Sequence, residues 1–166
     1  LKENIIVTIT YRTATEPDAQ TVYDLILALA EYEKLAHEVV ASVDDIRASM
    51  FGNHPKAHAV LAESGGDVVG FALYFYNYST FQGKAGIYIE DLYVYPEHRG
   101  QGIGEGFFKH LCRKAMDEDC GRIQWWVLDW NEPSIEFYKK MGAQMMDEWT
   151  VCRLEGEAIQ NLAVAQ

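Results

Sequence analysis

Cysteine is scarce and unpatterned in this chain. Cys112, Cys120 and Cys152 are three in number, and no C-x-x-C pair occurs. An odd, scattered set points neither to a disulfide framework nor to a zinc knuckle, and reduced thiols in a cytoplasmic protein are the simplest expectation. His37, His54, His58, His98 and His110 lack H-E-x-x-H spacing, so no metal is expected. Long apolar runs are also missing. The longest, Val68 to Tyr76, is too short to span a bilayer. The start Leu1-Lys2-Glu3-Asn4 carries an acid with no long apolar region behind it, so no signal peptide is expected. Positive charge is in deficit: 14 Lys and Arg against 25 Asp and Glu leave a net charge of −11. Such a balance repels nucleic acid and anionic lipid and attracts a cationic substrate. It also serves solubility in many proteins with no such substrate. No repeat, linker or low-complexity stretch occurs.

The 166 residues fit one compact domain, residues 1–166. With 49% apolar residues they can form a core without metal or disulfides. Ile5 to Tyr11 reads as a β-branched first strand. Thr15 caps a helix whose face is Val22, Leu25, Ile26, Leu29 and Ala36. Ser42 and Asp45 cap a second helix through Ile46, Met50 and Phe51, stopped by Gly52-Asn53. His58 to Ala62 and Val68 to Tyr76 form a hairpin about the turn Ser64–Asp67. Asn77 to Gly86 reads as a polar loop, and Ile87 to Tyr95 as the next strand. A helix with Ile103, Phe107, Leu111 and Ala115 in register runs to Gly121. Arg122 to Val127 is a strand, and Pro133 opens a helix that Gly142 ends. Gln144–Met146 and Trp149–Leu154 suggest a last hairpin, with a short helix from Glu155 to Ala163. The fold class is therefore α/β, with a mixed, mostly antiparallel sheet flanked by helices.

Chemistry concentrates in three segments. Arg99-Gly100-Gln101-Gly102-Ile103-Gly104 lies between a strand and an amphipathic helix, where glycines admit an anion to free helix-start amides. The dinucleotide fingerprint fails because Glu105 and Phe107 stand where it needs glycine. The triphosphate loop fails because no G-K-[ST] follows. A tight strand-to-helix turn would show the same glycines. The preceding strand, Ile87-Tyr88-Ile89-Glu90-Asp91-Leu92-Tyr93-Val94, holds two carboxylates, one expected on each face. Burying a carboxylate is costly without partners, so a function is expected for at least one. Glu90 is favoured, and Asp91 reads as a salt-bridged structural acid. The third segment, Asp129 to Ala143, reads by spacing as a capped helix ended by glycine, with Tyr138 a core aromatic.

R-x-x-G-x-G and the later W-N-x-x-[SA]-x-x-[FL]-Y-x-x-x-G-A resemble the two signatures of the GNAT superfamily of N-acetyltransferases. Y-I-E-D-L-Y-V-x-P-E-H-R-G-Q-G-I-G and V-L-D-W-N-E-P-S-I-E-F-Y are similar to the diamine acetyltransferase family, which includes the spermidine/spermine and thialysine acetyltransferases. The similarity runs from Ala28–Glu33 through Phe51–Pro55 and Tyr78–Phe81 to Gly156–Ala158. It implies a GNAT fold, acetyl-CoA as co-substrate, a small cationic amine as acceptor and a homodimer. At matching positions it implies that Arg99, Gly100, Gln101, Gly102, Ile103, Gly104 and Glu105 hold the CoA pyrophosphate. A bulged strand at Leu92, Tyr93 and Val94 would hold the pantetheine and acetyl group, with Asn131, Ser134 and Tyr138 contributing further CoA contacts. Glu90 matches the acid that helps deprotonate the amine, through water, and Tyr138 the acid for the leaving thiolate. Tyr32, Glu33, Glu90, Glu148 and Trp149 match the amine side. Phe81 stands where relatives often have tryptophan, and the segment from Gly142 to Trp149 is short; both bear on the amine pocket.

The chemistry of amide formation agrees with these roles. A primary amine has a pKa of about 10.4 and arrives protonated. A carboxylate can take its proton, and backbone amides beside a bulge can stabilise the oxyanion. A phenol can protonate a thiolate of pKa about 8.5. Two rivals remain: a non-catalytic acyl-CoA-binding sensor, and an acetyltransferase for a peptide or antibiotic amine.

Overall fold

The structure, a computed structural model, describes residues 8–165. The chain divides into two compact units, Leu1–Trp126 and Val127–Gln166.

The first unit is a five-stranded sheet in the order β1-β2-β3-β4-β5. β1 is Ile9–Thr13, β2 His58–Ser64, β3 Asp67–Ser79, β4 Lys84–Val94 and β5 Ile123–Trp125. The first three pairings are antiparallel and β4–β5 is parallel, so the sheet is mixed as expected. Ile5–Val7, expected to begin β1, lie outside the described residues. α1 (Ala19–Tyr32) and α2 (Val43–Phe51) cover one face, where Val22, Leu25, Leu29 and Met50 pack with Ala59, Leu61, Phe71, Leu73 and Tyr93. α3 (Ile103–Asp117) buries Ile103, Phe107, Phe108, Leu111 and Ala115, the predicted register. Each large side chain fully removed from water, such as Phe71, Leu61 or Phe107, contributes about 1.5–3 kcal/mol.

Several boundaries differ from the sequence reading. α1 ends at Tyr32 because Lys34 takes a left-handed φ of 63°, so Ala36 belongs to a separate 3-10 turn and is exposed. The loop expected from Asn77 to Gly86 shrinks to residues 80–83, since β3 and β4 continue as a ribbon from Asn77↔Gly86 to Ser79↔Lys84. There Asn77 Nδ2 donates to Gln124 Oε1 at 2.9 Å, so a polar residue is held within the sheet by a side-chain partner.

The second unit contains α4 (Glu132–Lys140) and α5 (Glu157–Val164). The hairpin expected at Gln144–Met146 and Trp149–Leu154 does not form; these residues are turn and irregular backbone. A two-stranded hairpin is marginal without a third strand or a helix beneath it, and Asp147 and Glu148 interrupt its apolar pattern. Among the described residues no helix is long and apolar enough to cross a membrane.

Candidate active site

The middle of β4 is irregular. Leu73 opposes Asp91 and Tyr74 opposes Ile89, so Glu90 is the extra residue of a β-bulge. The bulge lies just before Leu92, Tyr93 and Val94, which oppose Ala72, Phe71 and Gly70 in regular register. β5 pairs only with Ile87–Ile89, so the β5-side edge of β4 from Glu90 to Val94 has no ladder partner in β5. Unpaired strand amides beside a bulge are suited to hold an extended amide chain and a carbonyl oxygen.

The two adjacent acids fare differently. Glu90 is exposed, while Asp91 is half-buried and desolvated by its surroundings. Burial, reinforced by the charges of Glu90 and Glu33, pushes the Asp91 carboxyl up to about 7. Glu33 caps the C-terminal end of α1, and its own carboxyl is raised by burial. Among the described residues, none of Glu33, Glu90 and Asp91 forms an ion pair or a side-chain hydrogen bond. The salt-bridged role expected for Asp91 is therefore not what the structure gives: it is a desolvated acid facing two more acids. The sequence signal, two carboxylates in an apolar strand, was present, and the resemblance implied a bulged strand; that Glu90 is its extra residue follows only from the pairing with β3. Among the described residues no three His, Cys, Asp or Glu side chains form a group able to hold a metal ion.

Arg99 fastens the end of β4 to α1. Its Nε donates to the Val94 carbonyl at 2.9 Å, and its guanidinium lies 4.6 Å from the Tyr32 ring centroid and 5.4 Å from that of Tyr93. Tyr32 is thereby held beside β4, its ring 6.4 Å from that of Tyr93. The glycine loop follows. Gly100 and Gly102 have φ of 74° and 79°, and a Cβ at either would meet nothing within 4 Å. Gly102 is the N-cap of α3 and has no side chain to satisfy the first helical amides. The amides of Ile103, Gly104 and Glu105 thus stand at the positive end of a helix of 15 residues, behind an open, left-handed turn. That is an anion-binding arrangement. Gln101 is exposed within this turn.

In the second unit, Asn131 is buried and caps α4, its Oδ1 accepting from the Ser134 amide at 3.4 Å. Tyr138 is buried at 8% exposure. The helix closes on Gly142, φ 92°, with the Ala143 amide donating to the Tyr138 carbonyl at 3.1 Å. Glu148 and Trp149 lie in an exposed turn, the Trp149 amide donating to the Met146 carbonyl at 3.1 Å. The first unit therefore brings together Tyr32, Glu33, Glu90, Leu92–Val94 and the loop Arg99–Glu105. The second holds Asn131, Ser134 and Tyr138 on one helix, and Glu148 and Trp149 beyond it.

Sheet, bulge and loop fit the acetyltransferase (GNAT) family, whose profile matches residues 20–143. The chain belongs to that family. It is 43% identical to the thialysine N-epsilon-acetyltransferase of Bos taurus over 163 residues, covering 92% of this chain and 95% of that one. It is 30% identical to the L-ornithine N5-acetyltransferase NATA1 of Arabidopsis thaliana, covering 90% and 85%. An integron cassette protein from the mobile metagenome of V. cholerae superposes with a TM-score of 0.81 at 25% identity, covering 95% of this chain and 98% of that one. This GNAT chain is thus an N-acetyltransferase, an enzyme of the acyltransferase class.

Proposed function

We propose that this enzyme transfers the acetyl group of acetyl-CoA to a primary side-chain amine of a small cationic amino acid, by direct attack in a ternary complex. The observation that carries the acceptor class is Asp91, a desolvated carboxyl that the charges of Glu90 and Glu33 raise further, in a set that forms no ion pair among the described residues. An ammonium group supplies the missing charge. The names of the bovine and Arabidopsis relatives each specify a side-chain nitrogen of an amino acid, which favours such an acceptor over a polyamine.

In the reaction the ammonium gives up a proton, its nitrogen lone pair forms the C–N bond, and the C–S bond breaks to release CoA. Of the acids, Glu90 is the one expected from the resemblance to move that proton through water. Asp91, at about 7, has the affinity suited to receive a proton near neutrality and return it to solvent. Tyr138 is assigned the protonation of the thiolate. The Gly100–Glu105 amides would take the CoA pyrophosphate, and the unpaired β4 edge the pantetheine. The same reading has the enzyme acting as a homodimer in the cytoplasm. Measured together, kcat/KM for thialysine, lysine, spermidine and a short diamine test the acceptor. A preference for thialysine is expected, and a clear preference for spermidine would overturn the amino-acid assignment while leaving the enzyme class intact. CoA release with none of them would favour a peptide or antibiotic amine. Acetyl-CoA binding without CoA release to any amine would favour a sensor.

A further inference from the structure

The first turn of α3 is held from outside. Tyr11, on the edge strand β1, donates its hydroxyl to the Ile103 carbonyl at 3.0 Å. Its ring meets Phe107 edge-on, with centroids 5.1 Å apart and planes at 79°. Ile103 is the first residue of α3, directly after the left-handed Gly102. One turn on, Gly106 donates its amide to the Gly102 carbonyl at 2.9 Å, closing that turn. A Cβ at Gly106 would sit 1.8 Å from the Tyr11 hydroxyl and 2.3 Å from its Cζ. Glycine is among the poorest residues inside a helix, so its presence here has a steric reason: it is the notch through which Tyr11 reaches the backbone.

We infer that Tyr11 is a positioning residue for the cofactor, its hydroxyl fixing through Ile103 and the Gly106 notch the direction in which the helix-start amides point. The inference rests on the proposed reading of the Gly100–Glu105 loop as the pyrophosphate site. The role assigned to Tyr11 is exerted through the turn and not by contact with either substrate. The edge-on ring contact with Phe107 gives the side chain one orientation, so loss of the hydroxyl frees the turn without emptying the core.

The test compares two acetyl donors, acetyl-CoA and S-acetylpantetheine, which lacks the pyrophosphate. Tyr11→Phe keeps the ring and removes only the hydroxyl. The expected result is a rise of about three- to tenfold in KM for acetyl-CoA, the scale of one lost hydrogen bond, with kcat unchanged. kcat/KM for S-acetylpantetheine should not move. An equal fall with both donors would make Tyr11 merely structural, and an unchanged KM for acetyl-CoA would also overturn the inference. A second pair of variants removes dependence on one substitution. Gly106→Ala should weaken CoA binding by calorimetry in the wild-type background and have no further effect in Tyr11→Ala, where the notch is no longer needed. Additive losses would sink the idea. A wild-type enzyme that fails to bind CoA would instead remove the loop reading itself, and this inference with it; normal wild-type binding with an unaltered Tyr11→Phe enzyme removes this inference alone.

Discussion

Replacing Asp91 by Asn probes the least comfortable charge in the first unit. Asn has the shape of the protonated acid and cannot ionise. In the folded chain the carboxyl is pushed up to about 7, against 3.8 without the fold. The folded state therefore holds the proton more tightly than the unfolded state. Below 3.8 both states are protonated and the substitution changes little. Between 3.8 and 7 the unfolded chain ionises while the folded carboxyl stays neutral, so wild-type stability falls by about 1.4 kcal/mol per pH unit. Above 7 both states are ionised and the penalty stays level. The width of that pH window sets the ceiling of the penalty at about 4 kcal/mol, and entry of water into the site would leave roughly half. Urea unfolding of wild type and Asp91→Asn at about pH 5.5, 7 and 8.5 reads the difference, one point inside the window, one at its upper end and one above it. The advantage of the Asp91→Asn variant should grow from the first point to the second and then flatten. An advantage independent of pH, or a variant less stable than wild type at the most alkaline point, would refute a desolvated acid at this position.

The same substitution should remove an ascending limb near pH 7 from the profile of kcat/KM for the amine; a profile identical to wild type would exclude Asp91 from proton transfer. Gly102→Val should abolish acetyl-CoA binding by calorimetry while circular dichroism stays native: the Cβ meets nothing within 4 Å, and the left-handed φ costs about 1–2 kcal/mol. Near-normal affinity would mean that the loop is only a turn. Tyr138→Phe should lower kcat by at least about a hundredfold with little change in acetyl-CoA affinity, since the ring remains. Unchanged turnover in steady-state kinetics would make Tyr138 simply a packed aromatic.

What could be read from the sequence was what depends on local rules. The Ile103, Phe107, Leu111, Ala115 stripe gave α3 its buried face, and Ser42 with Asp45 gave α2 its cap, which forms with the Asp45 amide donating to Ser42 Oγ at 3.2 Å. The glycines of the Arg99–Gly104 loop marked the strand-to-helix turn, in which Gly100 and Gly102 take a left-handed φ. What could not be read was set by partners distant in sequence. The ribbon beyond Asn77 depends on Gln124, 47 residues away. The bulge at Glu90 depends on which β3 residue opposes which, and strand alternation alone assigned one acid to each face. Tyr11 is 92 residues from the carbonyl it engages, and nothing local to β1 announces that contact.

The electrostatics of α1 suggest why the acid set is placed as it is. A helix C-terminus carries partial negative charge, where a basic residue is stabilising and an acid is not. α1 has no basic residue in its last turn and ends on Glu33, half-buried, which raises the Asp91 carboxyl further. Two unfavourable arrangements thus act on one carboxyl: an acid at the wrong helix end and a desolvated acid in the strand, with the exposed Glu90 on the bulge adding its charge. A fold that optimised stability alone would replace either acid. On the proposed reading, a cation bound there would relieve both together, and the interaction unfavourable to the free enzyme would become affinity for the ammonium group. It follows that proton and acceptor compete. Below about pH 7 the proton on Asp91 takes up part of the charge that the ammonium would otherwise neutralise. Acceptor affinity should therefore rise as pH climbs through 7 and level off until the amine itself begins to lose its charge.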